Sequence, residues 1–574
     1  MTEVLPRFAV PDLSDLPPLP PCIDETLPEV FSAMDQAGAF ADRDMINMVG
    51  LEPRLPEAEI KERFARLFGA SAPAREVVER FVNEHFSWPI KKNGGAIQYQ
   101  GGDFDEHGHA VLLSHMGTAV DGPTTIGAPN QVMESGGRYS DERPGRALWY
   151  YWDTETSVVG LDDLGEKELG TGLVDNIRDQ VERFRRPPLN GNAPEYRRSQ
   201  PPIYSRLVRR DAQLHGPEAY EHHLPAMLIE YWSIMDGAND PSKLGLAPGS
   251  RYKSVVRMPD GSVLNVFSAK GFTYADGTPR PRPESRRADL ATKAAAETRL
   301  GRELAVPELS HLYEETHTGA GAGTDFADWM LGDLTNMDTI RVTRRVPPFQ
   351  NALVFELECT IAEAFRALGY EQEAEHYETA AMLRAAAVNK YLYNEQIGFY
   401  LPYDLDTGQV MDPSLQDGTF LLESGIPPSV RAAKVTDFLR QRMLTAGGLV
   451  ASPRPRSRQS WSGPNVWPLL QRGGAKGAWL AGDFGLEEGI RTGFLNSAHA
   501  ALRRTGYGKE RYNAFQLGEP GVAGEYKAPD HNFSWDTATE VDLRNRGYRN
   551  EAERRSWQRR RQIAGGVGRL AMPA

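Results

Sequence analysis

QNALVFELECTIAEAFRALG at residues 350–369 and EQEAEHYETAAMLRAAAVNKYL at residues 371–392 decide the fold. In both stretches apolar side chains return every third or fourth position, the spacing that lines one face of an α-helix. Gly369 stands between them where a C-cap belongs, so the pair reads as an αα-hairpin. Similar spacing recurs at 430–444 and 476–504. It also appears at 57–86, where Ile60, Phe64, Leu67, Phe68, Val77, Val78, Phe81 and Val82 follow helical intervals. Strand-like alternation is short and local, as at 254–267 around the Pro259-Asp260-Gly261 turn. The chain is mainly α.

The chain has 574 residues, 40% of them hydrophobic, enough to bury a large core without disorder or fibrous repeats. A formal charge of -13 argues against a nucleic-acid or anionic-membrane partner, because such surfaces call for clustered positive charge. The basic stretch RRSWQRRRQ at 554–562 reads as a solvated helix face. Cys22 and Cys359 are too few for a disulfide framework or a cysteine zinc site. The first 21 residues are proline-rich and lack the basic start and apolar core of a secretory signal. No apolar stretch is long enough to span a bilayer. A soluble, cytoplasmic protein is the expectation. His107 and His109, or His222 and His223, suggest metal binding only faintly, and DLDTG at 404–408 reads as a turn. No phosphate-cradling GxxxxGK[ST] and no GxSxG elbow is present. Neither a metal nor a cofactor is expected.

Long segments rich in Gly, Pro, Trp, Tyr and Arg lie between the helices at 135–153, 190–204 and 321–329. Ordering such loops is worthwhile only where they bind something. Their chemistry suits a sugar, which presents a C–H face to aromatic rings and hydroxyls to paired donors and acceptors. Tyr150, Tyr151, Trp152 and Asp153 follow Gly136, Gly137 and Arg138. Asn190, Arg198 and Gln200 lie in the next loop, and Arg282 and Glu284 in PRPES. Trp461, Asn465 and Trp467 lie in QSWSGPNVWP. Each has a plainer reading: arginines in surface salt bridges, tryptophans in the core.

In order along the chain, SGGRY…YYWD, NGN…RSQPP, PRPES, GTDFADW, QSWSGPNVWP and GEYKAPDHNFSW resemble the signatures of trehalases, glycoside hydrolase family 37. The matches run from about Gly136 to Trp535. The resemblance implies an (α/α)6 toroid over 57–545, with an extended arm at 1–56 packing on it and a basic tail at 546–574. It implies hydrolysis of α,α-trehalose, a small-molecule substrate, with inversion. Asp325 would be the general acid and Glu525 the general base, their carboxyl groups ~6.5–9.5 Å apart to admit a water. An acid of this kind stays protonated through burial or neighbouring negative charge, while the base stays ionised. Arg138, Tyr139, Tyr150, Trp152, Asp153, Asn190, Arg198, Gln200, Arg282, Glu284, Gln459 and Trp461 would contact substrate. Without the resemblance, an acidic residue after glycine, as at 325 and 525, is more often a turn or cap residue.

Three departures stand out. SDERPGRAL at 140–148 displaces the family's Arg-Glu-Phe. Ser462 replaces the aspartate of Gln-Trp-Asp, and Pro348, Phe349, Gln350 and Asn351 replace Val-Asp-Leu-Asn. Each removes an acceptor from an expected sugar contact, and hydrogen-bonding sites discriminate strongly when a partner is missing. Two other readings therefore stay open: a related toroidal α-glycosidase acting on another α-glucoside or oligosaccharide, and a non-catalytic sugar-binding protein on the same scaffold.

Overall fold

In a computed structural model, the periodic segments fold into paired helices. The structure describes residues 97–119, 126–135, 149–191, 198–235, 250–274, 276–282, 285–411, 417–454, 457, 459–521 and 532–566, and the backbone of 91–92. The expected N-terminal arm and the helices at 57–86 lie outside these residues. In chain order the helices are α1 (Phe104–Ser114), α2 (Tyr151–Asp163), α3 (Lys167–Phe184), α4 (Tyr204–His215), α5 (Glu218–Met235), α6 (Arg286–Leu300), α7 (Val306–Gly319) and α8 (Pro348–Ala367). There follow α9 (Glu371–Tyr391), α10 (Asp417–Ser424), α11 (Ser429–Phe438), α12 (Pro468–Ala481), α13 (Phe484–Thr505), α14 (Ser534–Asn545) and α15 (Glu551–Ala564). The expected αα-hairpin is α8 and α9. Gly369 ends α8, and the Tyr370 N–H donates to the Phe365 carbonyl at 2.8 Å. The expected hairpin at 254–267 pairs Val255–Arg257 with Val263–Asn265, antiparallel. Helix α12 begins at Pro468, eight residues before the expected start at 476, with proline at its first position and Gly473 and Gly474 masking the apolar spacing of its first turns.

Residues 348–362 of α8 are buried on every side, and a helix with no exposed face must be surrounded by others. It belongs to an inner ring. Helices α2, α4, α8, α10, α12 and α14 each pack on the next, and α14 packs back on α2. Outside them α3 lies on α2, α5 on α4, α9 on α8, α11 on α10 and α12, α13 on α12 and α1 on α14. This is an (α/α)6 toroid. The ring closes at Gly160, where a Cβ would stand 2.5 Å from that of Ala538, so α2 and α14 meet almost backbone to backbone.

Each inner helix contributes at least one buried charged side chain to a network that links the ring. Arg206 of α4 meets Glu356 of α8 and Glu423 of α10, both at 2.8 Å. Arg472 of α12 meets Glu155 of α2 at 2.8 Å and Asp542 of α14 at 2.7 Å. Burial pushes the Glu356 carboxyl up, but Arg206, Arg560 and Arg209 outweigh it and hold the group down at about 2. The basic helix α15 lies under this network. Its Trp557 indole N–H donates to the Leu422 carbonyl at 2.9 Å, and Arg560 donates to the Glu423 and Ser424 carbonyls at 3.1 Å. Those are orphan carbonyls at the C-terminus of α10. One face of α15 is thus solvated, and the other closes one end of the ring.

Two other carboxyls, half-buried Asp163 and buried Asp536, behave oppositely to Glu356. Burial and the neighbouring Asp542 raise Asp163. Burial raises Asp536 to about 8 against the hydrogen bond from the Tyr512 hydroxyl. Both are carboxylic acids in the folded chain near neutrality and carboxylates in the unfolded one. A raised folded value stabilises below about pH 4, and that stability is lost as pH rises through about 8. Thermal midpoints are therefore expected to fall from pH 5 to pH 8.5. Asp536→Asn should flatten the slope, and an unchanged slope would assign the dependence to other groups.

Candidate active site

The ends of the inner helices opposite α15 carry the motif residues. Tyr150, Ile203, Pro347, Trp467 and Phe533 immediately precede five of these helices. Ring contacts show that the same ends converge. Trp152 lies 6.2 Å from Trp461 and 6.4 Å from Phe420, Trp461 stacks on Trp467 at 3.8 Å, and Trp467 meets Trp535 edge-on at 5.5 Å. Helix N-termini gathered in this way present N–H groups and positive dipole ends, a setting that favours carboxylates and hydroxyl oxygens.

The two loops nearest α2 are tied to it by backbone hydrogen bonds. Tyr150 and Asn190 form a β-bridge, flanked by Tyr151 N–H to Leu189 C=O at 3.0 Å and Gly191 N–H to Trp149 C=O at 3.1 Å. The Trp152 N–H donates to Gln200 Oε1 at 2.9 Å. Asp153, in the first turn of α2, is buried, as are Asn190 and Arg198.

Asp325 is half-buried on the loop between α7 and the short helical turn Asp328–Met330. Gly323 wedges that loop in place. Its φ is +79°, and a Cβ there would lie 2.9 Å from the Pro201 ring and 3.2 Å from the Trp152 indole. Phe326 also takes a positive φ, 56°, an uncommon state for an aromatic residue that suits a constrained functional loop. The Arg282 guanidinium lies over the Phe326 ring at 5.3 Å and is held by Asp289 at 2.7 Å. Ser462 accepts from the Asp328 N–H at 2.7 Å, and Asp328 Oδ1 accepts from the Ser457 N–H at 3.1 Å. The serine that replaces the family's aspartate is fully buried, so it shapes the Asp325 loop and does not lie open to a ligand. Gln459, half-buried, starts the turn that presents Trp461, its carbonyl accepting from the Ser462 N–H at 3.0 Å.

Tyr150, Trp152, Asp153, Asn190, Arg198, Gln200, Arg282, Asp325, Gln459 and Trp461 thus converge on one end of the ring. Arg138, Tyr139, Glu284 and Glu525 lie outside the described residues. Phe420, which carries no motif, completes an aromatic wall. It lies 5.4 Å from Phe349, itself 5.5 Å from Phe267. Phe349 stands where the family pattern has an aspartate, so an acceptor has become a buried apolar surface. Behind Arg198 and Gln200 is a cavity of about 70 Å³ that Glu230 and Gln350 also line. Among the described residues, Asp175, His222 and His223 bring three potential ligand atoms within 4.8 Å, a grouping that chain spacing does not reveal. The Arg178 guanidinium lies 2.6 Å from His222 Nδ1, a charge that opposes a bound cation.

Among the described residues no helix is long and apolar enough to cross a membrane. Residues 124–543 match the family model described as Trehalase. The periplasmic trehalase of Salmonella paratyphi B is 31% identical over 408 residues, 71% of this chain and 66% of that protein. The periplasmic trehalase of Escherichia coli O1:K1 / APEC is 29% identical over 462 residues, 80% of this chain and 76% of that protein. The chain therefore spans about two thirds to three quarters of the length of these relatives. Neutral trehalase Nth1 from Saccharomyces cerevisiae has the same fold, with a TM-score of 0.57 at 15% identity over 81% of this chain and 86% of that one. These relatives overturn the cytoplasmic expectation, since they are periplasmic proteins. The physical reason is that two cysteines, with Cys359 buried and unpaired, suit an oxidising compartment as well as a reducing one. With its model match over most of the length and its motif residues gathered at one end of the toroid, the chain belongs to the trehalase family of glycoside hydrolases.

Proposed function

We propose that this chain hydrolyses α,α-trehalose to glucose, Asp325 protonating the glycosidic oxygen while Glu525 directs water to the anomeric carbon with inversion. The observation that carries the reading is the Asp325 loop, wedged through Gly323 against Trp152 and Pro201 at the aromatic end of the ring. A carboxyl on a rigid loop, beside flat rings and amide groups, has the setting of a proton donor to a bound sugar. The family match and the names of the curated relatives support trehalose as substrate. The relatives' location supports action outside the cytoplasm.

The test is to follow trehalose cleavage by proton NMR in the first minutes. Inversion releases one α-glucose and one β-glucose per trehalose, whereas two α-glucoses would indicate retention. A second reading, hydrolysis of another α-glucoside, is favoured by position 349, where the family pattern's acceptor has given way to a buried phenylalanine that can offer a sugar no hydrogen bond. A panel of α-glucosides with less polar leaving groups separates the two by kcat/KM.

A further inference from the structure

We propose that Glu230 is a positioning residue for this reaction: through the Tyr151 hydroxyl it ties α2, which carries Trp152 and Asp153, to the segment carrying Arg198 and Gln200. The inference rests on the hydrolase reading above. Tyr151 is 1% exposed, and its hydroxyl is a three-way junction. It accepts from the backbone N–H groups of Ile203 at 3.2 Å and Tyr204 at 3.0 Å, and it donates to Glu230 Oε1. Those N–H groups open α4 and have no partner within their own helix, so the phenol caps α4 and fixes where the Arg198–Gln200 segment enters it. Gln200 then meets the Trp152 N–H. Two sugar-facing segments are thus pinned to each other at adjacent points, and Glu230 holds the pin.

Glu230 is 1% exposed, and its Oε2 has no hydrogen-bond partner among the described residues. Burial raises its carboxyl to about 8 against the Tyr151 hydrogen bond, so near neutrality it is an uncharged acid. From α2 it is faced by Tyr151, and from α4 by Tyr204, whose own ionisation Glu230 opposes. Arg186 and Arg198 share the cavity wall with it, and α8 contributes the uncharged Gln350. Once ionised, Glu230 would be a buried charge at the Tyr151 junction, and relieving it would loosen the pin between the two segments. Weaker substrate binding above about pH 8 follows, while the chemical step itself is untouched.

The experiment compares wild type, Glu230→Gln and Glu230→Leu in trehalose hydrolysis from pH 6 to pH 9.5. Glu230→Gln keeps an acceptor for Tyr151 and cannot ionise. It should hold the wild-type KM at pH 7 and abolish the rise in KM that wild type shows above about pH 8. Glu230→Leu should raise KM about tenfold at pH 7 with kcat changed less than about threefold, a loss of geometry and not of chemistry. A wild-type rise that persists in Glu230→Gln, or an unchanged KM in folded Glu230→Leu, overturns the proposal. If Glu230→Leu does not fold, the Glu230→Gln pH profile decides alone. Absence of trehalose hydrolysis in wild type counts against the proposed function. Glu230 is then judged in the same pH series by tryptophan-fluorescence titration with trehalose, where the dissociation constant takes the place of KM.

Discussion

Asp325→Asn is expected to lower kcat for trehalose by roughly 10²–10⁴-fold, the range a positioned proton donor contributes. The same change should alter stability by no more than ~0.5 kcal/mol. The asparagine is isosteric but offers no acidic proton to the departing oxygen. Several other groups hold the loop around it: Gly323 against Pro201 and Trp152, the Phe326 backbone, and the Ser462 hydroxyl accepting from the Asp328 N–H. The side chain is half-buried, so the exchange neither opens a cavity nor strands a fully buried charge. Because the lost interaction belongs to the transition state, kcat and kcat/KM should fall together, with KM nearly constant. Glucose release and a thermal melt on the same preparation check both halves. Retained turnover would strip Asp325 of the acid role, and a large drop in the melt would show that the residue is structural.

The hairpin α8–α9 is legible in the sequence because an inner helix and the outer helix laid on it both carry long apolar runs broken by a single glycine. The order of the ring is not legible. It depends on contacts such as Gly160 against Ala538, between residues far apart in the chain, and nothing local marks a glycine as a closure point. The motifs give most of the candidate site, since Trp152, Gln200, Arg282, Asp325 and Trp461 each sit in a signature that only their shared order makes specific. Phe420 escapes because an aromatic residue in a short apolar helix looks like any core residue. Its role comes from standing beside Trp152 and Phe349, which are 268 and 71 positions away from it. Ser462 misleads in another way: as a missing acceptor it suggests an altered sugar contact, yet its hydroxyl is spent on the Asp328 backbone. Glu230 is hidden for the same reason as the charges of the ring network, because a lone glutamate on an amphipathic helix reads as solvated until its neighbours are known.

Arg472→Met is expected to destabilise the fold by ~3–5 kcal/mol, the usual cost of removing one partner from a buried ion pair. Arg472 bridges Glu155 and Asp542 across the first and last inner helices, and all three side chains are buried. Methionine matches much of the side-chain volume, so packing loss is minor. The main cost is the Asp542 carboxylate left in a medium that solvates it poorly, together with the hydrogen bond that Glu155 loses while Arg206 and Lys476 still face it. Asp542 also stands beside Asp163, already raised by its presence, so a proton taken up there brings relief and the damage should be smaller at pH 5 than at pH 8. Adding Glu155→Gln and Asp542→Asn to Arg472→Met should recover most of the loss, since neutral amides need no counter-charge. Denaturant or thermal unfolding of the single and triple variants at both pH values provides the measurement. A single variant that loses less than ~1 kcal/mol, or a triple variant that recovers nothing, would mean that apolar contact between α2, α12 and α14 holds the ring shut and that the network charges are incidental to it.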